Sequence, residues 1–113
     1  MADVVYIDEV DGKKRVMNNA KLYAKLLTKF KTDMNLNDLV ASVDVQDWEK
    51  AQAAAHTIKG IAANLSLIEL FNQSLAVETK IKGKSLEPES LENLKACFAE
   101  TLVQVEKVIT QYA

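Results

Sequence analysis

Ala53-Ala54-Ala55-His56-Thr57-Ile58-Lys59-Gly60-Ile61-Ala62-Ala63-Asn64-Leu65 contains the one histidine of the chain, and its reading decides the fold. A helical residue advances about 100° around the axis. Wound that way, Ala51, Ala54, Ile58, Ile61 and Leu65 gather on one side. His56 falls nearly opposite the centre of that stripe, with Glu49, Gln52, Ala53, Lys59, Gly60 and Ala63 around it. The spacing therefore predicts an imidazole facing solvent, beside a cation and among small side chains. A glycine inside a helix costs about 1 kcal/mol relative to alanine. Close approach to the histidine is a reason to keep Gly60 there.

Working outward, Asp47 is a suitable N-cap for this helix, with Trp48 anchoring its start. Before it, Asn18 or Asn19 can cap a helix in which Tyr23, Leu26, Leu27, Phe30 and Met34 recur at spacings of three and four. Asn35-Leu36-Asn37 bends or ends that helix, and Leu36, Leu39, Val40 and Val43 carry the pattern on to about residue 43. After the histidine helix, Ser66-Leu67-Ile68-Glu69 has the form of a capping box, so a tight reversal into an antiparallel helix is expected. Leu67, Leu70, Phe71, Leu75 and Ile81 form the inner side of that helix. Lys80, Lys82 and Lys84 collect at its C-terminal end, where the helix dipole favours cations, and Gly83 stops it. Pro88 stands at a first helical position. Leu91, Leu94, Phe98, Leu102, Val105, Ile109 and Tyr112 then make a long apolar repeat. Residues 3–16 read as a short helical turn against the larger body, with Gly12 breaking any longer helix. The expected fold is all-α: an antiparallel up-down four-helix bundle with a short additional N-terminal helix, forming one domain over residues 1–113.

Composition agrees and narrows the function. Three glycines and one proline in 113 residues are few for a sheet-rich fold. A net charge of −2 predicts no bulk affinity for nucleic acid or a membrane surface. One cysteine, Cys97, excludes an internal disulfide framework and fits a reducing compartment. The start Met1-Ala2-Asp3-Val4-Val5-Tyr6 lacks the basic region and apolar run of a signal peptide. No apolar run approaches the roughly 18 residues needed to span a bilayer. A cytoplasmic monomer is expected.

Several chemistries are absent. No GxxxxGK[ST] or GxGxxG loop is present to hold a nucleotide, and there is no CxxC, HExxH or GxSxG. One histidine and one cysteine supply too few soft donors for a metal site. Ala53, three residues before His56, removes the Glu-x-x-His pair of a carboxylate di-metal bundle. No metal and no cofactor are expected. What remains is an exposed imidazole, a good nucleophile near pH 7 because its unperturbed pKa is about 6.5. Lys59 can offset the charge of a phosphoryl group on the ring, and Gly60 and Ala63 leave the ring open to a second protein. The row Lys21, Lys25 and Lys29 reads as a solvated face.

His56-Thr57-Ile58-Lys59-Gly60, followed by Ala62-Ala63-Asn64-Leu65, resembles the HxxKG signature of histidine phosphotransfer (HPt) domains. Leu22-Tyr23, Leu26-Leu27 and Phe30 are similar to that family's second-helix pattern, and Asp47-Trp48-Glu49 to its approach to the histidine helix. The resemblance runs over essentially the whole chain, as expected of a free-standing module. It implies that His56 accepts a phosphoryl group, through Nε2, from the aspartate of a response-regulator receiver domain and passes it to another receiver. Lys59 is then a charge partner and Gly60 the permissive position. The implied partners are receiver domains and a hybrid histidine kinase, with any Mg²⁺ requirement residing in the receiver. Two positions depart from the family pattern. Ile61 stands where many members have a small polar residue, and Ser66 where many have glycine. An alternative of another class is a helical adaptor that binds a receiver or kinase without carrying phosphate.

Glu78 enters by geometry. With the reversal at Ser66, His56 and Glu78 differ in height by only about 3 Å at 1.5 Å per residue. A carboxylate on the apolar side of its helix is unexpected. It is placed to accept a hydrogen bond from the imidazole or from Lys59, orienting the site, or else to pair with Lys82 at i+4.

Overall fold

The computed structural model describes residues 4–112, so the first three residues of the N-terminal stretch lie outside it. The described residues form six helices: α1 (Glu9–Lys14), α2 (Ala20–Phe30), α3 (Asn35–Asp44), α4 (Trp48–Leu65), α5 (Ile68–Lys82) and α6 (Pro88–Tyr112). No strand occurs among them. α4 packs on α5, α5 on α6, α6 on α2, and α2 closes back on α4, giving the four-helix bundle that the periodicity predicts. α3 lies along α4 and α1 against α2. The 25 residues of α6 make a rod of about 37 Å, close to the 40 Å long dimension of the molecule.

The first long helix of the sequence reading is two. α2 ends at Phe30 and α3 restarts at Asn35. The break falls one turn before the expected interruption at residues 35–37. There the carboxylate of Asp33 accepts the backbone N–H of Asn35 at 2.8 Å. Short polar side chains that bind nearby backbone in this way favour turns over helix. Met34, expected in the core, is exposed as a result.

Helix starts follow their caps. Asn19 accepts from Leu22 N–H at 3.0 Å and Asp47 from Lys50 N–H at 3.2 Å. Helix ends do not use a left-handed glycine. Gln46, Ser66 and Lys84 each take up the left-handed conformation, with φ of 58°, 58° and 56°, while no glycine has positive φ. After each, the chain closes the same six-residue hydrogen bond: Asp47 N–H to Ser42 O, Leu67 N–H to Ala62 O, and Ser85 N–H to Lys80 O, all at 2.8 Å. This pair of features is the Schellman ending, usually built on glycine.

Two expectations are corrected here and one is refined. The Ser66–Glu69 capping box does not form: Ser66 terminates α4, Leu67 occupies the N-cap of α5 without a side-chain bond, and Glu69 accepts from Gln73. α5 does stop at Gly83, its C-cap, but Gly83 has φ −82°, and the left-handed residue that reverses the chain is Lys84. Gly12 lies inside α1 and is buried, so it does not break the helix.

The core joins Tyr23, Leu27 and Phe30 of α2, Leu39 of α3, Ala51, Ala55, Ile58 and Ala62 of α4, Leu70 and Val77 of α5, and Leu94, Phe98 and Val105 of α6. Cys97 belongs to it. Leu75, expected on the inner side of α5, is half-exposed, and Ser74 takes the buried position beside it. The alanines of α4 let neighbouring helices approach closely. Tyr23 then secures the end of α4: its buried hydroxyl donates to Leu65 O at 2.7 Å, and burial raises its pKa so that it remains a donor.

Candidate functional site

His56 lies in the third turn of α4 with its side chain 67% exposed. The neighbouring outer positions, Ala53, Gly60 and Ala63, are small. A Cβ added at Gly60 would meet nothing within 4 Å, and Gly60 has no positive φ. The glycine is not demanded by the fold of this chain; its effect is an open surface one turn beyond the imidazole.

Across the groove, α5 presents Glu78. Its side chain is only 4% exposed, and both carboxylate oxygens are engaged. Oε2 lies 2.9 Å from His56 Nδ1, and Oε1 accepts from Lys59 Nζ at 2.7 Å. Lys82 Nζ, one turn along α5, stands 3.8 Å from Oε2. The two alternatives read for Glu78 thus occur together on one carboxylate. Burial by itself raises the Glu78 pKa. The hydrogen bonds from Lys59 and His56 and the charges of Lys59 and Lys82 outweigh it, so the net pKa is lowered.

An ionised carboxylate only accepts hydrogen bonds. The Glu78 contact therefore assigns the proton of the neutral ring to Nδ1 of His56, leaving the lone pair on Nε2 of a largely exposed side chain. Such a ring is a nucleophile at Nε2 held in one tautomer and one orientation. Lys59 is 22% exposed and sits between the carboxylate and the surface. Trp48, expected to anchor the start of α4, is instead half-exposed, in a groove with Gln52, Ile81 and Leu86. Ile61 is partly buried against the core. Among the described residues, no three His, Cys, Asp or Glu side chains converge as metal ligands.

The sequence reading brings His56, Lys59, Gly60 and Glu78 to one place, and the structure groups all four there. Lys82 was legible only as a surface partner of Glu78. Its place on the same oxygen as the imidazole depends on the packing of α4 against α5.

The family model for the Hpt domain matches residues 25–106, well over half of the chain. The chain belongs to the Hpt domain family. The Hpt match begins within α2 and ends within α6, so it spans all of α4 and α5 and leaves α1 outside. No curated protein and no solved structure matches the chain. Membership in the Hpt family implies phosphorelay phosphotransfer in two-component signalling, with receiver domains and kinases as the class of partner. No helix among the described residues is long and apolar enough to cross a membrane.

Proposed function

We propose that this Hpt domain is a phosphorelay carrier in which His56 is the phosphoacceptor. Nε2 attacks the phosphorus of a receiver's aspartyl phosphate. The N–P bond forms as the bond from phosphorus to the aspartate oxygen breaks, and the carboxylate leaves with that electron pair. The reverse reaction on a second receiver discharges the group. Glu78 keeps the proton on Nδ1 throughout, Lys59 faces the incoming charge, and Gly60 admits the receiver. The observation that carries this reading is the 2.9 Å contact between His56 Nδ1 and Glu78 Oε2, which leaves Nε2 free on an exposed ring.

The chain is a carrier and not a kinase: its sequence holds no loop able to cradle a triphosphate. It works as a cytoplasmic monomer, with a hybrid histidine kinase upstream. The test is label transfer from phosphorylated receiver domains. The parent should take up acid-labile label, and a folded His56→Gln variant should take up none. Label on that variant would refute the assignment of His56. Receiver binding by the parent without any label would make the protein an adaptor. Rapid labelling of the pure protein by ATP and Mg²⁺ would refute the carrier reading.

A further inference from the structure

We infer that Lys82 is a positioning residue, a reserve counter-ion that takes over the Glu78 carboxylate when Lys59 turns to a phosphoryl group on His56. The inference rests on the phosphoacceptor reading of His56. In the resting site three cationic or hydrogen-bonding groups face Glu78: His56 and Lys59 from α4, and Lys82 from its own helix. Two of them are bonded. The third, Lys82, stops at 3.8 Å with a side chain 56% exposed. It is within ion-pair reach yet beyond hydrogen-bond range.

Phosphorylation changes the demand on this cluster. A phosphoryl group brings up to two negative charges and strong acceptor oxygens. Lys59, three residues from His56, is the nearest lysine on that helix. When it donates to the phosphoryl oxygens, Glu78 Oε1 loses its partner while the carboxylate stays buried. An uncompensated buried carboxylate favours its neutral form, and the closest proton is on Nδ1.

The consequence is chemical. Attack by the Nε2 lone pair moves no proton, so the phosphorylated ring is an imidazolium with hydrogen on Nδ1 and phosphorus on Nε2. If Glu78 takes the Nδ1 proton, the ring becomes neutral and is a poorer leaving group. Closure of Lys82 onto Oε2 keeps Glu78 ionised and the ring cationic, ready for the next transfer. Lys82 itself touches neither the phosphorus nor the attacking nitrogen.

The first experiment needs no phosphoryl group. The Glu78 carboxyl is followed by NMR through a pH titration in the parent, Lys59→Met, Lys82→Met and the double variant. Each single variant should keep a low-titrating carboxyl, because one lysine remains to compensate it. The double variant should titrate about 1–3 pH units higher. If Lys59→Met alone moves as far as the double variant, Lys82 does not take over and the inference fails.

The second uses protein phosphorylated with phosphoramidate, a small-molecule donor. In Lys82→Met the phosphorylated ring should lose its Nδ1 proton, read by ¹⁵N chemical shift, at a pH where the parent retains it. Phospho-His56 should live several-fold longer and discharge more slowly to a receiver, and Lys82→Arg should restore both. An effect of equal size in a Glu78→Gln background would overturn the inference, since Lys82 would then act elsewhere. If no variant accepts phosphate, the carrier reading fails while the first experiment still decides the role of Lys82 at Glu78.

Discussion

The ring of Tyr23 fills the space that a side chain at Gly12 would need. A Cβ built there would lie 2.4 Å from both Cζ and Oη of the tyrosine. This is the same phenol that holds the last carbonyl of α4. Gly12→Ala should therefore destabilise the protein by about 1–3 kcal/mol, because a buried aromatic ring must move out of a well-packed site. A denaturant titration reads the loss. Tyr23→Phe should cost about 1–3 kcal/mol through the unpaired Leu65 carbonyl alone, and an unchanged midpoint for Gly12→Ala would mean that α1 simply rides outward.

Gly60 should behave oppositely. With nothing within 4 Å of its absent Cβ, Gly60→Ala should stabilise α4 by up to about 1 kcal/mol. A larger side chain at this surface would hold a receiver away from His56. A misplacement near 1 Å can cost about 10²-fold in rate. Gly60→Gln should melt at or above the parent and transfer at least tenfold more slowly, about 1.4 kcal/mol in the barrier. Parental transfer by both variants would show that the partner approaches over another face.

Lys84 is held left-handed with no side-chain hydrogen bond among those described. Lys84→Gly removes that conformational cost and should raise stability by about 0.5–1 kcal/mol. Ser66→Gly should gain less, because the Ser66 hydroxyl donates to Asp11 Oδ2 at 2.5 Å and that bond would be lost. Thermal melts of the two variants give the comparison, and equal gains would show that the Ser66–Asp11 bond contributes nothing.

Glu78 should link stability to acidity. Its pKa is lowered from the ordinary 4.5 in the folded protein. Its contribution is therefore complete above about pH 4.5 and is lost as the pH falls through the lower folded value. Glu78→Gln should cost about 1–3 kcal/mol at neutral pH and show a smaller further loss between pH 5 and 3 than the parent, read from urea midpoints. In transfer, the folded variant should be slowed but not silent, since the carboxylate has no part in the N–P bond. Complete loss would raise Glu78 from an orienting group to an essential one.

Much of this was legible before the fold. Asp47, Asn19 and Pro88 marked helix starts because capping chemistry is local. His56 and Glu78 could be matched in height because a reversal at Ser66 and a constant rise per residue fix where antiparallel helices meet. Helix ends were harder. Gln46, Ser66 and Lys84 adopt the left-handed conformation that glycine normally announces, so Gly83 marks where α5 stops while the reversal itself falls on Lys84. The break between α2 and α3 was legible at Asn35-Leu36-Asn37 but misplaced by one turn, because Leu36, Leu39 and Val43 continue the apolar spacing across it. Leu75 and Met34 carried apolar character without burial, which tertiary packing decides.

The orientation of His56 is set by a carboxylate on a different helix, so its chemistry depends on how α4 and α5 are registered. A slip of one residue displaces one helix by about 1.5 Å along the other and turns the side chain by about 100° around its axis, which together would break the 2.9 Å contact. The two helices are joined at Ser66, about 15 Å up the helix from the imidazole. There Asp8 N–H donates to Ser66 O at 2.9 Å, and Asp11 accepts from the Ser66 hydroxyl. The short helix α1 thus braces the turn that joins α4 to α5, ten residues along the chain from the histidine whose partner that turn brings into place.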